Sequence, residues 1–361
     1  MIRVLVVDDS ALMRKFLGRI FEAAADFEVE TARDGLDALD KIAAFKPDVV
    51  TLDVEMPNMG GLECLDRIMI EHPCPVVMVS ALTEHGADAT LEALAMGAID
   101  FIAKPEGTVS LHADELTPVI LERVRSAAST PVRRSRRLAE RLRFQSRAGE
   151  SAAAVRPRRR APKGGAAPKS DTLVLVGAST GGPPALDNLL SKLPAGFGWP
   201  VLVAQHMPES FTGSFSRRLN GICALEVVEV TGAMMIEPGH VYIGRGDADL
   251  IVARRGDKLL AMAAPASPEH RWHPSVDRLV RSAMECRAAP DLVGILMTGM
   301  GNDGAVAMAE LHQAGGHTIA EAEETAVVWG MPGDLVKRGG ADDIVPLPRI
   351  AARLVELSPW R

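Results

Sequence analysis

Short, unbroken apolar runs recur along the first third of the chain, at residues 4–7, 29–31, 49–52, 76–79 and 100–102. Runs of Val, Ile and Leu without polar alternation predict strands covered on both faces, as in a parallel sheet. Between them the apolar positions return at helical spacing. Leu12, Met13, Phe16, Leu17, Ile20 and Phe21 form one such stripe, opened by a cap at Asp9 or Ser10. Five strand–helix repeats over residues 1–128 predict a doubly wound, flavodoxin-like (βα)5 domain. The functional groups of such a domain sit at the carboxyl ends of its strands.

The pattern stops over residues 129–170. Arg133-Arg134, Arg136-Arg137 and Arg158-Arg159-Arg160 are interleaved there with Ala, Pro, Gly and Ser, and only the Leu138/Leu142 spacing allows a short helix. Between residues 131 and 169, thirteen Lys and Arg face two Glu, a balance of +11. The whole chain carries −7, so the remainder holds −18. A segment this polar cannot bury enough apolar surface to order itself and reads as a basic linker, with an acidic-surface or nucleic-acid patch as the alternative. Strand and helix alternation resumes over residues 171–361. Strands are expected at 173–176, 201–204, 225–230, 241–243, 250–253, 292–297 and 318–320, and helices at 184–192, 276–285, 305–314 and 349–356. The second domain therefore reads as a mostly parallel, doubly wound α/β unit with a β-hairpin interrupting its sheet. The four cysteines have no pairing pattern, and no apolar stretch is long enough for a membrane span or a signal peptide. A cytoplasmic protein with reduced thiols is expected. An aromatic content of 4% argues against a base-stacking or sugar-binding platform.

The strand ends of the first domain carry chemistry. Asp8 and Asp9 follow the first strand, Asp53 the third, Ser80 the fourth and Lys104-Pro105 the fifth. Carboxylates gathered at one edge repel unless a cation sits among them, and a hard ion such as Mg²⁺ suits oxygen ligands. Asp53 is then a carboxylate nucleophile for a phosphoryl group, Lys104 a neutralising charge and Ser80 a hydrogen-bond donor. Each residue singly also reads as a cap or a surface charge. Together with Phe101, three residues before the lysine, the set resembles the response-regulator receiver family over residues 1–125. That resemblance implies phosphorylation of Asp53 by a histidine kinase and Mg²⁺ held by Asp8, Asp9, Asp53 and the backbone carbonyl of Glu55. It also implies a switch made of Ser80, Phe101 and Lys104.

In the second domain, the strand at 173–176 runs into Gly177-Ala178-Ser179-Thr180-Gly181-Gly182, a G-x-S-x-G turn that lifts a serine hydroxyl clear of the backbone. The next strand ends in Gln205-His206-Met207-Pro208, and the strand at 292–297 leads to Thr298-Gly299-Met300-Gly301-Asn302-Asp303-Gly304. In an acyl-transfer scheme Ser179 is the nucleophile, His206 the general base and Asp303 its orienter. Thr180 and Met300 are candidate backbone oxyanion donors, Met300 standing equally as packing. His270 and His273 compete as bases but read better as a cleft rim. Asp247, Asp249 and Asp277 compete as orienters but read better as caps. A phosphate-binding module or a DNA-binding regulator is disfavoured, because no P-loop lysine, GxGxxG or helix-turn-helix pattern is present. These segments, with His273-Pro274-Ser275-Val276-Asp277 and Gly330-Met331-Pro332-Gly333, resemble the catalytic domain of the CheB-type protein-glutamate methylesterases of bacterial chemotaxis. The segment Tyr242-Ile243-Gly244-Arg245-Gly246-Asp247-Ala248-Asp249 departs from that family's pattern. The resemblance implies a hydrolase that needs no cofactor and acts on glutamate methyl esters and selected glutamines of chemoreceptor cytoplasmic helices. It also implies control by the receiver.

Overall fold

A computed structural model describes residues 1–104, 113–131 and 172–358. The chain divides into two compact units, one ending at Arg156 and the other starting at Pro157. Apart from residues 129–131, the expected linker and its short helix lie outside the described residues, as does Pro105.

The first unit runs β1 (Ile2–Val7), α1 (Ala11–Ala23), β2 (Phe27–Ala32), α2 (Gly35–Phe45), β3 (Val49–Asp53), α3 (Gly61–Glu71), β4 (Val76–Ser80), α4 (Glu84–Met96), β5 (Asp100–Ala103) and α5 (Ala113–Ala128). All strands pair in parallel in the order β2-β1-β3-β4-β5. Val4, Leu5, Val49, Val50, Val76 and Val77 are fully buried, as two-faced coverage requires. Ser10 rather than Asp9 caps α1, its hydroxyl accepting from Met13 N–H at 3.4 Å. Leu12 belongs to the apolar stripe in sequence, but the core-facing arc is Met13, Leu17, Ile20 and Phe21, and Leu12 is exposed. The sheet order reverses between β1 and β3, so Asp8 and Asp53 end up side by side at the crevice where such sheets bind ligands.

The second unit runs β6 (Leu173–Ala178), α6 (Gly182–Leu190), β7 (Val201–Gln205), α7 (Glu209–Ile222), β8 (Glu226–Val230), β9 (Ala233–Met235), β10 (His240–Gly244), β11 (Ala248–Arg255), β12 (Lys258–Pro265), α8 (Val276–Cys286), β13 (Leu292–Leu296), α9 (Ala305–Gln313), β14 (His317–Glu321), α10 (Met331–Lys337), β15 (Asp343–Val345) and α11 (Leu347–Leu357). Its main sheet has seven parallel strands in the order β15-β14-β13-β6-β7-β10-β8. The expected hairpin exists as β11–β12, yet it does not interrupt this sheet. It joins β9 in a separate three-stranded antiparallel sheet. The cause is local: Gly256 and Asp257 close a two-residue turn with Gly256 at φ 61°, and β11 leans on α8 through Val252 N–H to Ser282 Oγ at 3.0 Å. Because β7 and β13 flank β6 on opposite sides, three carboxyl-terminal loops converge over β6. Among the described residues, no helix is long and apolar enough to cross a membrane.

Candidate functional site

The first pocket forms at the ends of β1, β3 and β5. Asp8 and Asp53 are buried and Asp9 is exposed, and the three offer carboxylate oxygens within 4.8 Å of one another. At that separation and an effective dielectric near 20, two such charges repel by about 3 kcal/mol. Lys104 offsets this, its ammonium lying 3.0 Å from Asp8 Oδ2 and 2.7 Å from Asp53 Oδ2. Among the described residues, no other hydrogen-bond donor reaches either oxygen. Burial, reinforced by the Asp8 charge, pushes Asp53 up to about 6 despite Lys104. Lys104 moves upward too, because its carboxylate partners outweigh the opposing effect of burial. The Glu55 N–H donates to Asp53 Oδ1 at 3.3 Å, which folds the 53–55 turn against the carboxylate. Gly61 lets α3 begin directly against the end of β3, since a Cβ there would stand 2.1 Å from the Asp53 carbonyl oxygen. The Ser80 hydroxyl donates to Gly86 O at 3.1 Å, toward α4. Phe101 is buried beneath the Arg123 guanidinium, 5.5 Å from its ring centre, and Arg123 also pairs with Asp100 at 3.0 Å. Sequence reasoning missed Arg123. Its position one helix away from the aromatic leaves no local signal.

The second pocket forms where β6, β7 and β13 end. Ser179 sits in the turn between β6 and α6. Its N–H donates to Thr298 O at 2.9 Å, and its carbonyl accepts from Gly182 N–H at 2.7 Å. Gly181 adopts φ 75°, and a Cβ on Gly182 would stand 1.9 Å from Gln205 Oε1, so both positions demand glycine. The His206 backbone N–H bonds Ala178 O at 3.1 Å, which fastens the two strand ends side by side. His206 is buried, and its Nε2 lies 2.8 Å from Asp303 Oδ2. Asp303 comes from the loop after β13 and settles on the amino end of α8. It accepts from Val276 N–H at 2.7 Å, Asp277 N–H at 3.1 Å and the Ser275 hydroxyl at 3.1 Å. Burial raises the Asp303 carboxyl, but the His206 contact and these donors outweigh it and hold the group below the usual carboxylate range. An ionised Asp303 requires the proton of the imidazole on Nε2. Nδ1 is then the free base atom, and it is buried without a hydrogen-bond partner. A Ser179–His206 hydrogen bond is therefore not made in this conformation, as is common before substrate enters.

The competing residues take other places. Asp277 reaches from α8 to α9, accepting from Gly304 N–H at 3.1 Å and Ala307 N–H at 2.9 Å, so it is a cap of a neighbouring helix. Asp249 is neither in a turn nor a cap. Fully buried in β11, it accepts from Ser267 N–H, Ser275 N–H, His273 Nδ1 and Arg278, and so fastens both ends of the 267–275 loop. That loop carries Trp272, whose ring stacks on His206 at 5.9 Å and 16°. His270 lies beside Asp277 and Asp303, but His206 is the imidazole bonded to Asp303. Gly299, next to Met300, packs against Ser179, since a Cβ on it would lie 2.8 Å from Ser179 Cβ. The Thr180 carbonyl accepts from the Thr298 hydroxyl at 2.9 Å. Glu321, buried at the end of β14, accepts from Thr298 N–H at 2.9 Å and was not foreseen. It supports the loop from behind.

Comparison with known proteins matches one stretch in each part of the chain. A family described as CheB methylesterase matches residues 174–354, and one described as response regulator receiver domain matches residues 4–114. The chain is 56% identical to the protein-glutamate methylesterase/protein-glutamine glutaminase 2 of Rhodopseudomonas palustris, over 99% of this chain and 98% of that protein. It is 51% identical to protein-glutamate methylesterase/protein-glutamine glutaminase 3 of Rhodospirillum rubrum, over 98% of this chain and 95% of that one. Among solved structures, the catalytic domain of Thermotoga maritima CheB methylesterase is similar with a TM-score of 0.50 and 35% identity. It matches over 52% of this chain and 98% of that one.

Proposed function

The chain belongs to the CheB methylesterase family, joined to a receiver domain, and from that premise we propose that it demethylates glutamate methyl esters and deamidates glutamines on chemoreceptor cytoplasmic helices, through Ser179, His206 and Asp303. The observation that carries this reading is the 2.8 Å contact between His206 Nε2 and Asp303 Oδ2 at a strand end fastened to the Ser179 turn. Ser179 Oγ attacks the ester carbonyl while its proton passes to His206 Nδ1. The Asp303 carboxylate holds the Nε2–H tautomer and stabilises the imidazolium. As the tetrahedral intermediate collapses, the imidazolium returns that proton to the departing methoxide, and methanol leaves. Water, deprotonated by the same Nδ1, then hydrolyses the acyl-enzyme and frees Ser179. With a glutamine side chain the same sequence releases ammonia. Met300 N–H donates to no described residue, which supports it as an oxyanion donor; Thr180 N–H is the second candidate.

The receiver, over residues 1–128, regulates the hydrolase over residues 171–361. A histidine kinase supplies the phosphoryl group, and Asp53 is the acceptor. The carboxylate oxygens of buried Asp8 and Asp53, with the exposed Asp9 beside them, fit Mg²⁺, and Asp8, Asp9, Asp53 and the Glu55 carbonyl would be its ligands. When bound, Mg²⁺ supplies charge neutralisation for the phosphoryl oxygens. Lys104 contributes a second positive charge, and Ser80, released from Gly86 O, turns to the phosphoryl group. Phe101 follows. Both reactions take place in the cytoplasm.

Methanol release from methylated receptor membranes, with and without acetyl phosphate, tests the reading. Release that rises with acetyl phosphate is expected. Receptor membranes that keep every methyl ester under both conditions would refute it.

A further inference from the structure

Gln205 lies between the nucleophile and the base, and its side chain is spent on their backbones. The residue ends β7, is 2% exposed, and pairs in register with Ala178, the residue before Ser179. Its Nε2 donates to Ser179 O at 3.0 Å and to His206 O at 3.1 Å. The opposite end of the amide, Oε1, is buried against Gly182 with no hydrogen-bond partner. The orientation is fixed by these neighbours, because a flipped amide would press its oxygen against two carbonyl oxygens.

For stability alone the amide's gain and cost nearly offset, because it supplies a donor to His206 O while its own oxygen stays unpaired. A buried amide oxygen without a donor keeps its full desolvation cost, whereas an apolar side chain of similar shape would avoid it. Ser179 O already accepts from Gly182 N–H, so the Gln205 amide is not needed to satisfy that carbonyl. What the amide adds is a bridge. One planar group spans the carbonyl of the residue carrying the nucleophile and that of the residue carrying the base. Neither carbonyl can then drift without breaking a hydrogen bond.

Building on the activity proposed above, we infer that Gln205 is a positioning residue for acyl transfer, whose carboxamide fixes the spacing between Ser179 and His206. Displacement of a reacting group by about 1 Å costs on the order of 10²-fold in rate. The Ser179 turn is also held to the loop after β13 by Thr298 O, and the His206 N–H ties its backbone to Ala178 O, but the Gln205 side chain is the group that bridges the Ser179 and His206 carbonyls directly.

The test uses the full chain activated with acetyl phosphate, with methanol release followed across substrate concentration. Gln205→Met keeps the volume, removes both donors and removes the unpaired oxygen. Its kcat should fall by about 30- to 100-fold, with KM within about twofold and the thermal midpoint little changed, since the unpaired Oε1 is removed together with the donor to His206 O. Gln205→Glu is the second variant. Its carboxylate turns an acceptor toward both carbonyls, so activity is lost at neutral pH. The ratio to wild type should recover as the pH is lowered and the carboxyl gains a proton to donate. A Gln205→Met enzyme with wild-type kcat overturns the inference, as does a kcat loss that only tracks a lowered thermal midpoint. A wild-type protein that releases no methanol overturns the activity reading and this inference together. Wild-type turnover with an undiminished variant overturns this inference alone.

Discussion

Methanol release by the Asp303→Asn variant falls about 10⁴-fold, while the protein remains folded and still accepts phosphate on its receiver. The geometry dictates the direction of the loss, and its size is that expected of a triad left with the wrong imidazole tautomer. Ser275 Oγ, Val276 N–H and Asp277 N–H all donate toward residue 303, so an amide there turns its oxygen to them and its NH₂ toward His206. The imidazole must then accept at Nε2 and carry its proton on Nδ1. In that tautomer it cannot take the Ser179 proton. Asp303 itself does not set an acid limit on activity. Its carboxyl is held below the ordinary value of 3.8, so its contribution to stability is complete above that value and is lost only as the pH falls through the lower folded one. Turnover and thermal midpoint measured together check both points; less than a tenfold loss in turnover contradicts the assigned role.

In the Asp53→Asn variant, acetyl phosphate leaves no acyl phosphate and no longer stimulates methanol release. An amide lacks the anionic oxygen that attacks phosphorus, and it loses the 2.7 Å contact that Lys104 makes with Asp53. The substitution also has a signed effect on stability. Burial pushes Asp53 up to about 6, so between 3.8 and 6 the folded receiver holds more proton than the unfolded chain. Stability from this group therefore falls as the pH rises through that window, and above it the wild type carries the full cost of a buried carboxylate. Without Mg²⁺, the asparagine variant should be at least as stable as wild type at pH 7.5. The difference should shrink toward pH 5. Calorimetry on both proteins, alongside phosphate labelling, measures this; labelling that persists in the variant would remove Asp53 from the mechanism.

Much of this was legible in the chain because parallel strands buried on both faces announce themselves as apolar runs. Their carboxyl ends can be read directly, which is how Asp8, Asp53, Lys104, Ser179 and His206 could be singled out. The missed elements failed for physical reasons. The stretch Lys258–Pro265 is rich in Leu, Ala and Met, a helical composition, yet it is a strand because the turn at Gly256 and Asp257 pairs it with β11. The helix Glu209–Ile222 contains two glycines and buries Thr212, Ser214 and Ser216. The spacing of Phe211, Phe215 and Leu219 was the signal that could have found it. Asp249, Gln205 and Glu321 each act through at least one partner far away in sequence, and no local pattern carries that information. Asp249 in particular resembles a turn residue until its four donors are seen.

In the proposed mechanism, the ends of β6 and β7 and the loop after β13 make Ser179 a nucleophile through His206. Covalent capture tests it most directly. A serine-directed phosphonate added to the full chain, followed by peptide mapping, should modify Ser179 in the wild type, nothing in Ser179→Ala, and Ser179 at a strongly reduced rate in His206→Ala. Modification at another residue, or undiminished capture of Ser179 without the imidazole, would contradict the account.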